Sequence, residues 1–227
     1  VLSNYGAILR SKGQFEKAIT LYRRCIELYP NHSTAYSNLG IALGDIGQLN
    51  EAEKATRKAI KINPKNAESY YFRGEAKLNS IDISNRIATY VDKDNRVIIT
   101  RKSAISDFDM AIKLNSKKAE YYTDRGYAKS LIRDHKGAIN DWDKALNLDK
   151  DNYTLNIRRG ISKNIIGDSK GACQDFKKAA ISGDSIAVNL VKENCQESIS
   201  IIEQEEKREL ALTAWRRGVE NELSGNY

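Results

Sequence analysis

A pattern of small and aromatic residues that returns every 34 positions constrains this chain more than any other feature. It is clearest between Tyr122 and Asp149. There, Tyr122, Arg125, Gly126 and Lys129 read as one helix, and Ala138, Asp141, Trp142 and Ala145 as a second, led in by Lys136-Gly137. Moving forward by that period finds Arg159, Gly160, Lys163, Gly171, Ala172, Asp175, Phe176 and Ala179. Moving backward, with one interruption, finds Gly74 and Ala104, then Gly40 and Ala52, then Gly6 and Ala18. Repetition on this scale marks supersecondary units that cannot bury an apolar face alone and therefore stack. The small residues fall where paired helices must approach closely, and larger ones about a turn away fill the remaining space.

Composition agrees with helices throughout. Only two prolines occur, and Ala, Leu, Ile, Lys and Glu are abundant. The mean hydropathy of -0.58 and the absence of a long apolar run predict no membrane span. The net charge of +7 invites a nucleic-acid partner, but basic residues are interleaved with acidic ones as on solvated helix faces. Nucleic-acid binding, in the form of an RNA-binding helical repeat, therefore ranks third among the functional readings.

The remaining chemistry is sparse. Cys25, Cys173 and Cys195 show neither metal-ligand spacing nor a C-x-x-C pair, and they read as small structural residues with free thiols, which leans towards a reducing, cytoplasmic compartment. Cys25 stands at the repeat position held by Ala59, Ala111, Ala145 and Ala179. His32 and His135 fall in turns without a matching ligand set, and no phosphate-binding loop, nucleophile elbow or zinc-protease motif is present. No catalytic residue, metal or cofactor is expected. Val1 falls inside the first helix of the first unit, so the natural chain is expected to begin upstream, where a signal peptide could have stood.

Taken in order, residues 1 to 31 give the end of one helix, a turn at Lys12-Gly13-Gln14, and a second helix closed by Pro30. Residues Ser33 to Pro64 repeat the plan with Tyr36, Leu39, Gly40, Leu43, Gly47, Ala52, Ala59 and Pro64. That succession resembles the signature of the tetratricopeptide repeat family, with Thr56 departing at the second aromatic position. The resemblance covers residues 1 to 186 as five units, the first lacking its start, and the motif R-G-x-A-K is similar to repeats of bacterial members. It implies an all-α, right-handed solenoid of stacked antiparallel helix pairs, with residues 187 to 227 forming a C-terminal helical cap.

Repeats three to five share a further feature. Arg73, Arg125 and Arg159 precede the close-approach glycine, and Asp107, Asp141 and Asp175 recur on the second helix. In repeats one and two these places hold Tyr5 and Leu39, Leu21 and Ala55. Charge stands at both places or at neither, so each Arg is expected to pair with the Asp of its own hairpin.

The third repeat carries 18 extra residues, placed at about 81 to 100 between its two helices. Ile87 to Val91 and Arg96 to Thr100 flank the turn-forming Asp92 to Asn95, which predicts a small β-hairpin. Such a hairpin is either a contact site or a tolerated loop. Beyond repeat five, Ser185 to Cys195 reads as a short capping helix. Ser198 to Leu223 reads as a long one with Leu212, Trp215, Val219 and Leu223 on one stripe, and either shields the last repeat or docks a partner or another copy.

The family resemblance implies a concave surface lined by first helices and suited to a peptide or helix of a partner protein. In its register, Asn38, Ile41, Tyr71, Glu75, Asp124, Tyr127, Arg158 and Ile161 face that groove. Tyr71 and Tyr127 are expected as exposed anchors unless they pack against a neighbouring repeat. Members that clamp a chaperone's C-terminal carboxylate are matched only by Asn38: Ser3, Ala7, Glu68 and Phe72 stand where the cationic and amide groups belong, so that ligand is not expected. The resulting expectation is a non-catalytic scaffold or adaptor, with a regulatory subunit that assembles through its tail or insertion as the alternative.

Overall fold

The computed structural model describes residues 1–84 and 93–195, which form eleven α-helices. Two compact units result, the first spanning Val1–Asp151 and the second beginning at Asn152.

The first unit holds four antiparallel pairs. They are α1 (Leu2–Ser11) with α2 (Phe15–Leu28), α3 (Ser33–Asp45) with α4 (Leu49–Ile62), α5 (Ala67–Ser84) with α6 (Lys93–Leu114), and α7 (Ala119–Leu131) with α8 (His135–Leu148). Each second helix also packs on the next first helix, so the pairs stack in chain order. The second unit contains α9 (Tyr153–Ile165) paired with α10 (Ser169–Ala180), and α11 (Ser185–Asn194) on α10.

One contact repeats from pair to pair. A Cβ added to Gly6 would lie 2.6 Å from Tyr22, at Gly74 2.8 Å from Phe108, at Gly126 2.7 Å from Trp142, and at Gly160 2.5 Å from Phe176. The missing side chain on the first helix is thus the socket for a large one on the second. These four rings are at most 2% exposed, and Ala18, Ala104, Ala138 and Ala172, four residues earlier on each second helix, are fully buried. Burying such a ring contributes roughly 2 to 3 kcal/mol. In the second pair Thr56 takes the ring's place against Gly40, and its hydroxyl donates to the carbonyl of Ala52 at 2.9 Å.

Helix starts are written locally. Asp134 and Asp168 accept from the backbone N–H of Gly137 and Gly171, each at 2.9 Å, and cap α8 and α10. His32 serves α3 in the same way, its Nδ1 accepting from Ala35 N at 3.2 Å. The turns before α2, α4 and α10 place Gly13, Gly47 and Gly167 at positive φ, and the turn before α8 places Arg133 there, at φ 64°.

The third pair departs from the expected hairpin insertion. Arg96 to Thr100, expected as its second strand, belongs to α6, and Ile81 to Ser84 belongs to α5; Ile87 to Val91 lies outside the described residues. The 18-residue α5 and 22-residue α6 exceed their counterparts in the other pairs, so much of the insertion lengthens the two helices. Adding a turn to an existing helix forms one hydrogen bond per residue ordered, whereas an isolated two-stranded hairpin is marginal in water. That difference outweighs the β preference of Val97, Ile98 and Ile99. The tail from Ser198 to Leu223 also lies outside the described residues.

Candidate functional site

The first helices carry two polar systems. One ties α5, α7 and α9 each to its own partner. Arg73 Nε donates to Asp107 Oδ2 at 3.0 Å, Arg125 Nε to Asp141 Oδ2 at 2.9 Å, and Arg159 Nε to Asp175 Oδ2 at 2.9 Å, with a second guanidinium nitrogen of each on the other carboxylate oxygen. The aspartates are nearly sealed from water, at 4%, 2% and 1% exposure. Burial works against the charge of Arg73 and Arg125, but hydrogen bonds and attraction from Asp107 and Asp141 outweigh it and hold both guanidiniums above their ordinary range.

A third member completes each cluster, and nothing in the sequence pattern assigned it. Lys77 Nζ lies 2.7 Å from Asp107, Lys129 2.8 Å from Asp141, and Lys163 2.9 Å from Asp175. The signal was present: each Lys follows its Arg by four residues, and that spacing puts both on one helix face. Arg125 reaches further, to Asp109 of the preceding pair at 2.7 Å, and so fastens pair three to pair four.

The second system runs across the first helices of the first unit. Arg10 on α1 meets Asp45 on α3 at 2.6 Å, and Asn38 donates to Ser3 Oγ at 3.3 Å. Ser69 on α5 donates to Ser37 Oγ at 3.1 Å, and Tyr71 OH donates to Asp124 Oδ2 on α7 at 2.6 Å. Each helix is thereby registered against the next.

Tyr71 is not the exposed anchor expected of it. It is 8% exposed and packs against Phe72, Phe108 and Tyr121, with ring centroids 5.1, 5.9 and 4.8 Å away. Burial and the adjacent carboxylate of Asp124 push its phenol far up, so it remains a hydrogen-bond donor. Ile41 is also buried, at 8%, and with Asp45, Phe72, Glu75 and Asn79 it walls a cavity of about 150 Å³ between α3, α4 and α5. Burial, and then the charge of Asp124, push Glu75 up to about 7. Half-buried Asn38, Glu75, Asp124 and Tyr127 remain as the reachable part of this face. Arg158 and Ile161 lie exposed on α9 and belong to the second unit.

The cysteines correct one expectation. Cys173 on α10 and Cys195 after α11 form a disulfide, with Cα atoms 5.4 Å apart, so they are not free thiols and their support for a reducing compartment falls away. Packing of α11 on α10 creates the pair; a separation of 22 residues carries no local signal. Cys25 is free and 3% exposed, in the place its counterpart alanines occupy at 0%. Among the described residues, no group of His, Cys, Asp and Glu side chains could hold a metal ion, and no helix is long and apolar enough to cross a membrane.

Paired helices with a socketed ring, registered by polar contacts along one face, define a helical-repeat scaffold. The tetratricopeptide repeat family profile matches residues 1–65, and the chain has the fold of solved tetratricopeptide repeat proteins. Among solved structures it is similar to MamA, at 26% identity and TM-score 0.64, covering 80% of this chain and 96% of that one. It shares its fold with TTC0263 of Thermus thermophilus, at 18% identity and TM-score 0.62 over 86% of this chain and 97% of that one. The same holds for YrrB, a tetratricopeptide repeat protein with an unusual peptide-binding site, at 18% identity and TM-score 0.65 over 85% and 90%. No curated protein matches the chain.

Proposed function

We propose that the chain is a non-catalytic scaffold that binds a peptide or helix of a partner protein along the first-helix face of its first unit. The observation that supports this is the registered row α1, α3, α5, α7, whose backbone positions are fixed by Arg10–Asp45, Asn38–Ser3, Ser69–Ser37 and Tyr71–Asp124 while Asn38, Glu75, Asp124 and Tyr127 stay reachable. A surface ordered in advance loses little conformational entropy on binding, which is the condition for recognising an extended segment. Tyr127 supplies an aromatic edge and Glu75 with Asp124 an acidic one, so the favoured segment carries an apolar side chain beside a cationic one. The peptide-binding site reported for YrrB gives a precedent on the same fold.

The test is selection of peptides from a random library on the full chain, followed by fluorescence anisotropy with the selected peptides. Tyr127→Ala and Glu75→Gln should each weaken binding tenfold or more, while Lys54→Ala, on the exposed side of α4, should leave it unchanged. Equal affinity for all three variants would overturn the reading. Loss of an oligomer on removing residues 198–227, with no effect of the first-helix variants, would favour self-assembly instead.

A further inference from the structure

We propose that the Cys173–Cys195 disulfide is a reducible latch: it holds α11 against α10, and its reduction by a dithiol releases α11 and uncovers the end of the last helix pair. Three observations carry this.

The first is how α11 is held. It is ten residues long, below the length at which an isolated helix is stable in water. Ala187 is the one residue of the helix that is fully buried, Val188, Leu190 and Val191 are half-buried, and Ile186 is 62% exposed. At its start the chain enters through a turn, with Gly183 at φ 79° and Asp184 capping Ile186 and Ala187. At its far end, among the described residues, the disulfide and an exposed hydrogen bond, Asn164 Nδ2 to Asn194 Oδ1 at 3.0 Å, join it to the last helix pair. Cutting the disulfide removes the covalent tie at that end of a short helix.

The second is access. Cys173 and Cys195 both line an open cavity of about 590 Å³, with Ser169, Lys170, Gln174 and Lys177 on its walls. The third is asymmetry. Cys173 is half-buried and Cys195 is 3% exposed, so an incoming thiolate meets the Cys173 sulfur. A thiolate of the dithiol bonds to Cys173 Sγ, the S–S bond breaks, and Cys195 leaves as a thiolate that takes a proton from water. The second thiol of the reductant, deprotonated, attacks the mixed disulfide, closing the reductant into its own disulfide and expelling Cys173 as a thiolate that is protonated in turn. Two electrons and two protons pass from the dithiol to the protein. Lys170 and Lys177, against the single carboxylate of Glu193 on the same cavity wall, favour the anionic sulfurs formed along the way.

Hydrogen exchange of the full chain, followed by mass spectrometry with and without dithiothreitol, tests the latch. Amides of 187–194 should lose protection tenfold or more on reduction, while those of α9, α10 and the first unit keep theirs. Oxidised Cys173→Ser should exchange like the reduced protein. Unchanged protection of 187–194 after both thiols have been shown to be free by alkylation would overturn the proposal. So would collapse of α9 and α10 together with α11, which would make the bond a staple of the whole unit. Alkylation of Cys173 and Cys195 in the protein incubated with oxidised glutathione, before any dithiol is added, would overturn it as well.

Discussion

Arg125 and Asp141 face each other across α7 and α8 with Nε and Oδ2 2.9 Å apart, and the carboxylate is only 2% exposed. Such a pair is costly to break from the Arg side, because the buried anion stays behind. Lys129, 2.8 Å away, moderates the loss. Arg125→Met is therefore expected to cost about 2 kcal/mol, and Arg125→Met with Lys129→Met on the order of 4 kcal/mol, since the carboxylate then has no cation. Adding Asp141→Leu to Arg125→Met should restore much of the stability. Urea denaturation of these three variants and of Asp141→Leu alone gives the Arg125–Asp141 coupling energy; additive losses would remove the buried ion cluster from the account of stability.

A second prediction contrasts two helical glycines. A Cβ at Gly126 would sit 2.7 Å from Trp142 Nε1, and that ring is fixed by its own bond to the carbonyl of Thr123 at 3.2 Å. Gly126→Ala should destabilise by about 1 to 3 kcal/mol through overpacking. Gly44, inside α3, has nothing within 4 Å of its added Cβ. Gly44→Ala should stabilise by up to about 1 kcal/mol, the ordinary helix preference. Thermal melts that move in the same direction for both would contradict the socket described for Gly126.

The turn before α8 offers a gain. Arg133, at φ 64°, occupies the place that Gly13, Gly47 and Gly167 fill in the corresponding turns. A left-handed conformation costs an L-residue about 1 kcal/mol or more, part of which glycine returns through the freedom of its unfolded chain. Arg133→Gly should raise stability by roughly 0.5 kcal/mol, a rise in Tm of about 1 to 2 °C. Measured with Gly47→Arg as the reverse change, the two shifts should have opposite sign.

These contacts also mark what the sequence could express. The sockets at Gly6, Gly74, Gly126 and Gly160 were legible because close helix approach needs a small residue at a fixed phase, and repetition raises a weak local signal above noise. The Arg and Asp positions were legible for the same reason, since both charges appear or vanish together. Lys77, Lys129 and Lys163 were visible in the motif but unassigned, because a Lys on a helix is ordinarily a solvated one. The true place of Tyr71 was not legible: its ring position follows the groove register, but only packing against Phe108 and Tyr121 decides that it turns inward. Lengthening of α5 and α6 and the bond between Cys173 and Cys195 depend on what surrounds each segment in space. Local preference pointed to strands in the first case and to free thiols in the second.

Glu75 gives the last prediction, a dependence of stability on pH. Burial is the largest cause that lifts it to about 7 from about 4.5, followed by Asp124 on α7; Tyr71 on α5 lowers it by hydrogen bonding, and Asp45 on α3 and Arg10 on α1 act in opposite directions. The folded protein therefore keeps a proton on Glu75 over an interval in which the unfolded chain has lost it. Where the native state binds more protons, stability falls as pH rises. The contribution of Glu75 is thus fully present below about pH 4.5, is lost as pH rises through about 7, and is constant above that. Glu75→Gln cannot ionise. Relative to the parent it should be nearly neutral at pH 4 and more stable at pH 8, by on the order of 1 to 2 kcal/mol once the residual solvent contact of a half-buried side chain is allowed for. Urea titrations of both proteins at pH 4, 6 and 8 measure the difference directly. A difference that does not change with pH would mean that Glu75 titrates in the folded protein as it does in the unfolded chain, and that the acidic edge assigned to the first-helix face carries about half a charge more at neutral pH than the packing of α5 against α3 and α7 implies.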